Sequence, residues 1–101
     1  MNEQLLICAK EIIVLCDSII KENTSPNIDV IKIIKREFEI QYNSLNSKYK
    51  VVVLNKEKDL WASRTITDSA YFEFDQVLFD KVFQFAKLCK KLPLNQVIIL
   101  Y

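Results

Sequence analysis

Residues 25–43 read SPNIDVIKIIKREFEIQYN, and this stretch decides the fold. Its apolar side chains recur every three to four residues, at Ile28, Ile31, Ile34, Phe38 and Tyr42, as on one face of an amphipathic helix. Ser25 can cap the start of such a helix, and Pro26 suits its first helical position. Asp29 would lie near the positive end of the helix dipole. The pattern predicts a helix that ends near Asn43.

The preceding residues, 2–22, predict another helix with a much broader apolar face. Its polar positions form a narrow stripe that recurs about every seven residues: Glu3, Lys10, Glu11, Asp17, Ser18 and Lys21. Most of the remaining circumference is apolar, which is typical of a helix that packs on two sides. Residues 23–26, NTSP, separate the two helices.

After residue 47 the period changes to two, which indicates strands. Tyr49–Leu54 is rich in valine, Leu60–Thr67 alternates apolar and polar residues, and Ala70–Phe74 follows a short turn. Residues 55–59, NKEKD, have the composition of a hairpin loop. These segments predict an antiparallel meander of at least three strands.

Residues 76–91 return to helical spacing, with Asp75 as a candidate cap, and Gln96–Tyr101 has the composition of a terminal strand. We therefore expect an α+β fold. Two N-terminal helices would pack on an antiparallel sheet, followed by an additional helix at about 76–91 and a C-terminal strand. The whole chain, residues 1–101, is short enough to form a single domain.

The composition excludes several kinds of chemistry. The chain has no histidine and no glycine, so it lacks an imidazole base for a nucleophile, histidine ligands for zinc and glycine-rich phosphate loops. Its net charge of +1 argues against binding to nucleic acid or to a membrane surface. The apolar runs are far shorter than the roughly 20 residues of a membrane span, and no signal peptide is visible. We expect a non-catalytic, cytoplasmic protein without cofactors.

Three cysteines, Cys8, Cys16 and Cys89, contain no C-x-x-C pair. Cys8 and Cys16 would lie about 12 Å apart along one helix, too far for a mutual disulfide. We expect small, buried thiols in a reducing compartment, with neither a metal nor a redox role.

Trp61, the only tryptophan, lies in the middle predicted strand beside Ser63 and Thr65. Two interpretations remain open for it. The indole can pack against a helix, or it can line a recognition surface on which hydroxyl and backbone groups bind a partner. Arg64 on the same strand can guard an exposed edge against aggregation.

Residues 34–43, IKREFEIQYN, closely resemble the I-K-K-E-F-D-x-x-Y-N signature of the small homodimeric dynein light chains. The valines at 51–53, the Trp61-Ala62-Ser63 segment and residues 70–74, AYFEF, are similar to strands of that family. Its last strand corresponds either to residues 75–79 or to residues 94–100. We prefer the latter, because Asp80 and Lys81 fit a helix better than a buried strand.

The resemblance implies a dimeric hub that binds an extended segment of a larger protein, such as a dynein intermediate chain, by β-strand addition. Leu60–Thr67 would be the strand that is exchanged between subunits and receives the peptide. The peptide-binding residues would be Asp29, Trp61, Ser63, Arg64, Thr65 and Tyr71. This function implies a cytoplasmic, cytoskeleton-associated protein. The alternative is a structural subunit that docks permanently in a larger assembly and has no peptide groove.

Overall fold

The computed structural model describes residues 2–47, 52–54, 75–92 and 97–99. These residues form three helices and two short strands, in the order α1 (Asn2–Glu22), α2 (Ile28–Leu45), β1 (Val52–Leu54), α3 (Gln76–Cys89) and β2 (Val97–Ile99). Helical periodicity predicted the position of each helix to within about three residues.

The turn after α1 is made by an asparagine in a chain that has no glycine. Asn23 has a φ of 52°, in the left-handed region that glycine usually occupies at helix ends and that asparagine tolerates best among the other residues. Its backbone N–H donates to the carbonyl oxygens of Ile19 at 2.9 Å and Ile20 at 3.2 Å. This geometry ends α1 and turns the chain toward α2.

Helix α2 starts later than the sequence predicted. Its N-cap is Asn27, which makes no side-chain capping hydrogen bond, and the first helical residue is Ile28 rather than Pro26. The Ser25 hydroxyl accepts the backbone N–H of Asn27 at 2.9 Å, so it closes a turn before the helix instead of capping it.

All three helices contribute to one apolar core. Buried apolar positions recur at helical spacing on each helix: Leu5, Ala9, Ile12 and Cys16 on α1, Ile31, Ile34, Phe38 and Leu45 on α2, and Leu78, Phe79, Val82, Phe85 and Cys89 on α3. The rings of Phe38 and Phe85 meet edge to face, with centroids 5.0 Å apart and an interplanar angle of 82°. This contact joins α2 to α3 in the core.

The predicted α+β architecture is wrong for the described residues. In the described part of the chain, helix α1 packs mainly against α2 and α3. Among the residues that the structure describes, three in each of two strands are extended. β1 pairs with β2 in parallel, with Val52 opposite Val97 and Leu54 opposite Ile99. The expected sheet was antiparallel because its strands follow one another closely, whereas β1 pairs across a long connection that contains α3. The predicted strands at 60–67 and 70–74 lie outside the described residues.

Truncation of Phe38 tests the importance of the aromatic contact. We expect Phe38→Ala to lower the free energy of unfolding by about 3–5 kcal/mol, because it removes a fully buried ring and leaves a cavity. The matched control is Phe83→Ala on α3, where the ring is substantially exposed and the expected loss is below about 1.5 kcal/mol. Urea unfolding monitored by circular dichroism measures both values, and equal losses would contradict the packing described.

Candidate functional site

Of the six predicted peptide-binding residues, one lies among the residues that the structure describes. Asp29 lies in the first turn of α2, as the sequence predicted, and its side chain is exposed. The other five, Trp61, Ser63, Arg64, Thr65 and Tyr71, lie outside the described residues. Their grouping into a peptide groove therefore stays a prediction.

The three cysteines are free and buried, as the sequence predicted. The Cys8 thiol donates to the backbone carbonyl of Lys81 at 3.6 Å. Burial raises the pKa of Cys16 and of Cys89 to about 12, so both remain protonated near neutral pH. A protonated thiol is a poor nucleophile and a poor metal ligand. Within the described ranges, no three His, Cys, Asp or Glu side chains are arranged to hold a metal ion.

A polar cluster of Ser25, Asn27 and Asp75 joins the α1–α2 loop to the start of α3. The Asp75 carboxylate accepts the Ser25 hydroxyl at 2.6 Å and the Asn27 side-chain amide at 2.9 Å. Asn27 is only 3% exposed, so this amide is satisfied inside the protein. Asp75 occupies the N-cap position of α3, as predicted, but makes no side-chain capping hydrogen bond. Its carboxylate instead binds residues about 50 positions earlier in the chain.

A groove runs between α1 and α3. One depression, of about 270 Å³, is lined by Gln4, Ile7, Cys8, Glu11, Gln84 and Leu88. A second, of about 290 Å³, is lined by Leu15, Ile19, Asp75, Gln76, Val77 and Leu78. Positions 4, 8, 11, 15 and 19 of α1 follow the spacing of a single helix face, as do positions 77, 81, 84 and 88 of α3. We call the combined surface the α1–α3 groove.

An ion pair crosses the middle of this groove. The Lys81 ammonium donates to the Glu11 carboxylate at 2.6 Å, and this hydrogen bond raises the pKa of Lys81. Early residues of α1 lie beside late residues of α3, so the two helices are antiparallel. The ion pair marks the boundary between the two depressions.

A further apolar surface lies on the outside of α2. Ile33 and Ile40 are 53% and 48% exposed. They lie seven residues, or about two turns, apart and on the side opposite the buried positions Ile31 and Phe38. We call this pair the α2 ridge. In the sequence these isoleucines could not be distinguished from core residues by residue type.

Comparisons with known proteins give no relative from which to transfer a function. No protein-family model, curated protein or solved structure matches this chain. Within the described part of the chain, none of the helices combines the length and apolar character that crossing a membrane requires.

Thiol chemistry tests the burial of the cysteines. At pH 8 we expect Cys16 and Cys89 to react with iodoacetamide at least about a hundredfold more slowly in the native protein than in urea, because their pKa is about 12 instead of the ordinary 9.0. Mass spectrometry of the labelled peptides measures each rate. Since the folded pKa lies above the unfolded one, the stabilisation from these thiols is complete below pH 9 and is lost as the pH rises toward 12.

A cysteine at the exposed position Ser18 of α1 is the control for reagent access. In the native Ser18→Cys variant this thiol should react about as fast as in urea. Rapid native labelling of Cys16 would contradict the burial described.

Removal of the Asp75 carboxylate tests the polar cluster. We expect Asp75→Ala to lower the free energy of unfolding by about 1–3 kcal/mol, because it leaves the buried Asn27 amide without this acceptor. Asp29→Ala removes an exposed carboxylate from a helix start and should cost less than about 1 kcal/mol. Urea unfolding compares the two variants. A similar small loss in both would show that the cluster does not fix the loop against α3.

Proposed function

We propose that this protein is a non-catalytic subunit that docks in a larger protein assembly through apolar positions on the outside of its helices. The observation that carries the proposal is the α2 ridge. Ile33 and Ile40 keep about half of their surface in contact with solvent and stand on one face of the helix. A partner that covers both side chains would gain the burial of their apolar surface.

The chemistry of the side chains supports a binding role rather than catalysis. The chain has no histidine, and burial raises the pKa of all three of its thiols. Nucleophilic catalysis by a serine or cysteine needs a base or a lowered thiol pKa. Buried thiols that remain unpaired also fit a reducing compartment, so we place the function in the cytoplasm.

A second candidate is the binding of an extended segment by strand addition. The extended backbone of the described pair of β1 and β2 favours it, because strands can bind a further extended segment through their backbone groups. In this candidate the protein is a cytoskeleton-associated homodimer that binds a linear segment, such as one of a dynein intermediate chain. It rests on the resemblance of residues 34–43 to dynein light chains, and Leu60–Thr67 would receive the segment.

Substitution of the α2 ridge tests the first candidate. In a lysate of cells that naturally produce the protein, we expect the wild type to elute with a particle much larger than the purified protein. Ile33→Ser combined with Ile40→Ser should shift it to the elution volume of the purified form, because apolar contact area is lost. Lys32→Ser combined with Glu39→Ser changes exposed polar residues of the same helix and should leave elution unchanged.

Both double variants must first show the circular dichroism of the wild type. Elution of the wild type at the same volume in lysate and after purification would contradict the docking role. Light scattering of the purified protein separates the candidates further, since strand exchange requires two copies per particle and the docking role requires only one.

A further inference from the structure

We propose that Ser25 is a phosphorylation site for a protein kinase that recognises the proline after its acceptor, and that the phosphate releases the start of α3 from the α1–α2 loop. The kinase transfers the γ-phosphoryl group of ATP. A bond forms between this phosphorus and Ser25 Oγ, and the bond from phosphorus to the bridging oxygen breaks. ADP leaves with that electron pair, and the hydroxyl proton goes to a carboxylate of the kinase.

Ser25 lies in an exposed loop and is followed by a proline. Asn23, Thr24 and Pro26 are exposed, and Ser25 itself is partly exposed. The chain has two prolines, and only Pro26 follows a residue with a hydroxyl group. A proline favours an extended conformation of the residue before it, as a kinase active site requires of its acceptor. Ser25 is therefore the hydroxyl that such a kinase can select.

The Ser25 hydroxyl links two parts of the chain that are 50 residues apart. It donates to Oδ2 of Asp75 at 2.6 Å and accepts the backbone N–H of Asn27 at 2.9 Å. The same Asp75 oxygen accepts the side-chain amide of Asn27 at 2.9 Å. Asp75 is the N-cap residue of α3. These bonds therefore hold the first turn of α3 against the α1–α2 loop.

A phosphate on Ser25 is incompatible with this arrangement. The esterified oxygen has no hydrogen left to donate to Asp75. The phosphate carries a charge of about −1.5 to −2 near neutral pH, and the Asp75 carboxylate repels it at this short distance. The loop thus loses one bond to α3, and the same repulsion moves the carboxylate away from the Asn27 amide.

The other charged groups near Ser25 do not offset this repulsion. Within four residues on either side, the chain carries one basic residue, Lys21, and two acidic residues, Glu22 and Asp29, all of them exposed. Together with Asp75 their balance is negative. The positive end of the α2 dipole attracts a phosphate, but this attraction draws Ser25 toward α2 and does not restore its bond to α3.

The first experiment measures the structural effect without a kinase, in the full chain synthesised with phosphoserine at position 25. Amide hydrogen exchange is followed at residues 79–82, whose N–H groups are the first in α3 with acceptors inside the helix. We expect exchange at least tenfold faster than in the unmodified protein. In the Asp75→Asn background the phosphate should change exchange less than twofold, because the amide at position 75 has no charge to repel it.

The matched control is phosphoserine at the exposed position 24, which should leave exchange of residues 79–82 within twofold. Unchanged exchange with phosphoserine at position 25 would refute the release of α3. Equal acceleration in the wild type and in Asp75→Asn would also overturn the proposal, because the disruption would then not depend on repulsion by Asp75.

The second experiment tests recognition of Ser25. The purified chain is incubated with a proline-directed kinase and ATP, and mass spectrometry locates the phosphate. We expect one phosphate per chain, on Ser25, and an initial rate at least tenfold lower in Pro26→Ala, provided that this variant keeps the circular dichroism of the wild type. A chain that takes up no phosphate, a phosphate on another residue, or equal rates for the wild type and Pro26→Ala would each contradict the assignment.

Discussion

The two-sided burial of α1 is the constraint on which the rest of the structure depends. On one side, Asp17 pairs with Lys35 of α2 at 2.6 Å, and the Lys10 ammonium lies 5.4 Å from the centre of the Tyr42 ring. On the other side, the Cys8 thiol and the Glu11 carboxylate both contact Lys81 of α3. Between these sides lies the stripe of Leu5, Ala9, Ile12 and Cys16, which is buried. A helix with so broad an apolar face needs two neighbours, and here both are helices.

Polar contacts link α3 to α1 and to the α1–α2 loop, in addition to the apolar core that stabilises the three helices. Burial of apolar surface has no preferred direction, so the hydrogen bonds and ion pairs between the helices add specific partners to the packing of the core. The Asp75 cluster fixes the start of α3 against the α1–α2 loop, and the Glu11–Lys81 pair fixes its middle against α1. The surface ion pair contributes little to stability. It does link the middle of α3 to α1 across the α1–α3 groove.

The helices could be predicted from the sequence because their periodicity is local. The start of α2 was missed because the sequence does not show which groups the Ser25 hydroxyl binds. In the structure it donates to the Asp75 carboxylate and accepts the backbone N–H of Asn27, instead of capping the helix. The sheet was predicted wrongly because alternation of apolar and polar residues shows that a segment is extended but does not identify its partner strand. Val52 pairs with Val97, 45 residues later, and no local pattern encodes that distance. The link from Asp75 to Ser25 and Asn27 was invisible for the same reason.

The candidate site was less predictable than the fold because it depends on which apolar residues remain uncovered. In α1, Ile7 and Ile12 are the same residue type within one apolar pattern, yet Ile12 is fully buried and Ile7 is mostly exposed. The difference arises only after α2 and α3 have covered the two sides of α1. Val77 differs from the buried Val82 on α3 in the same way. The apolar pattern thus shows that the chain has more apolar positions than the described helices bury, and only their packing shows which of these positions stay exposed.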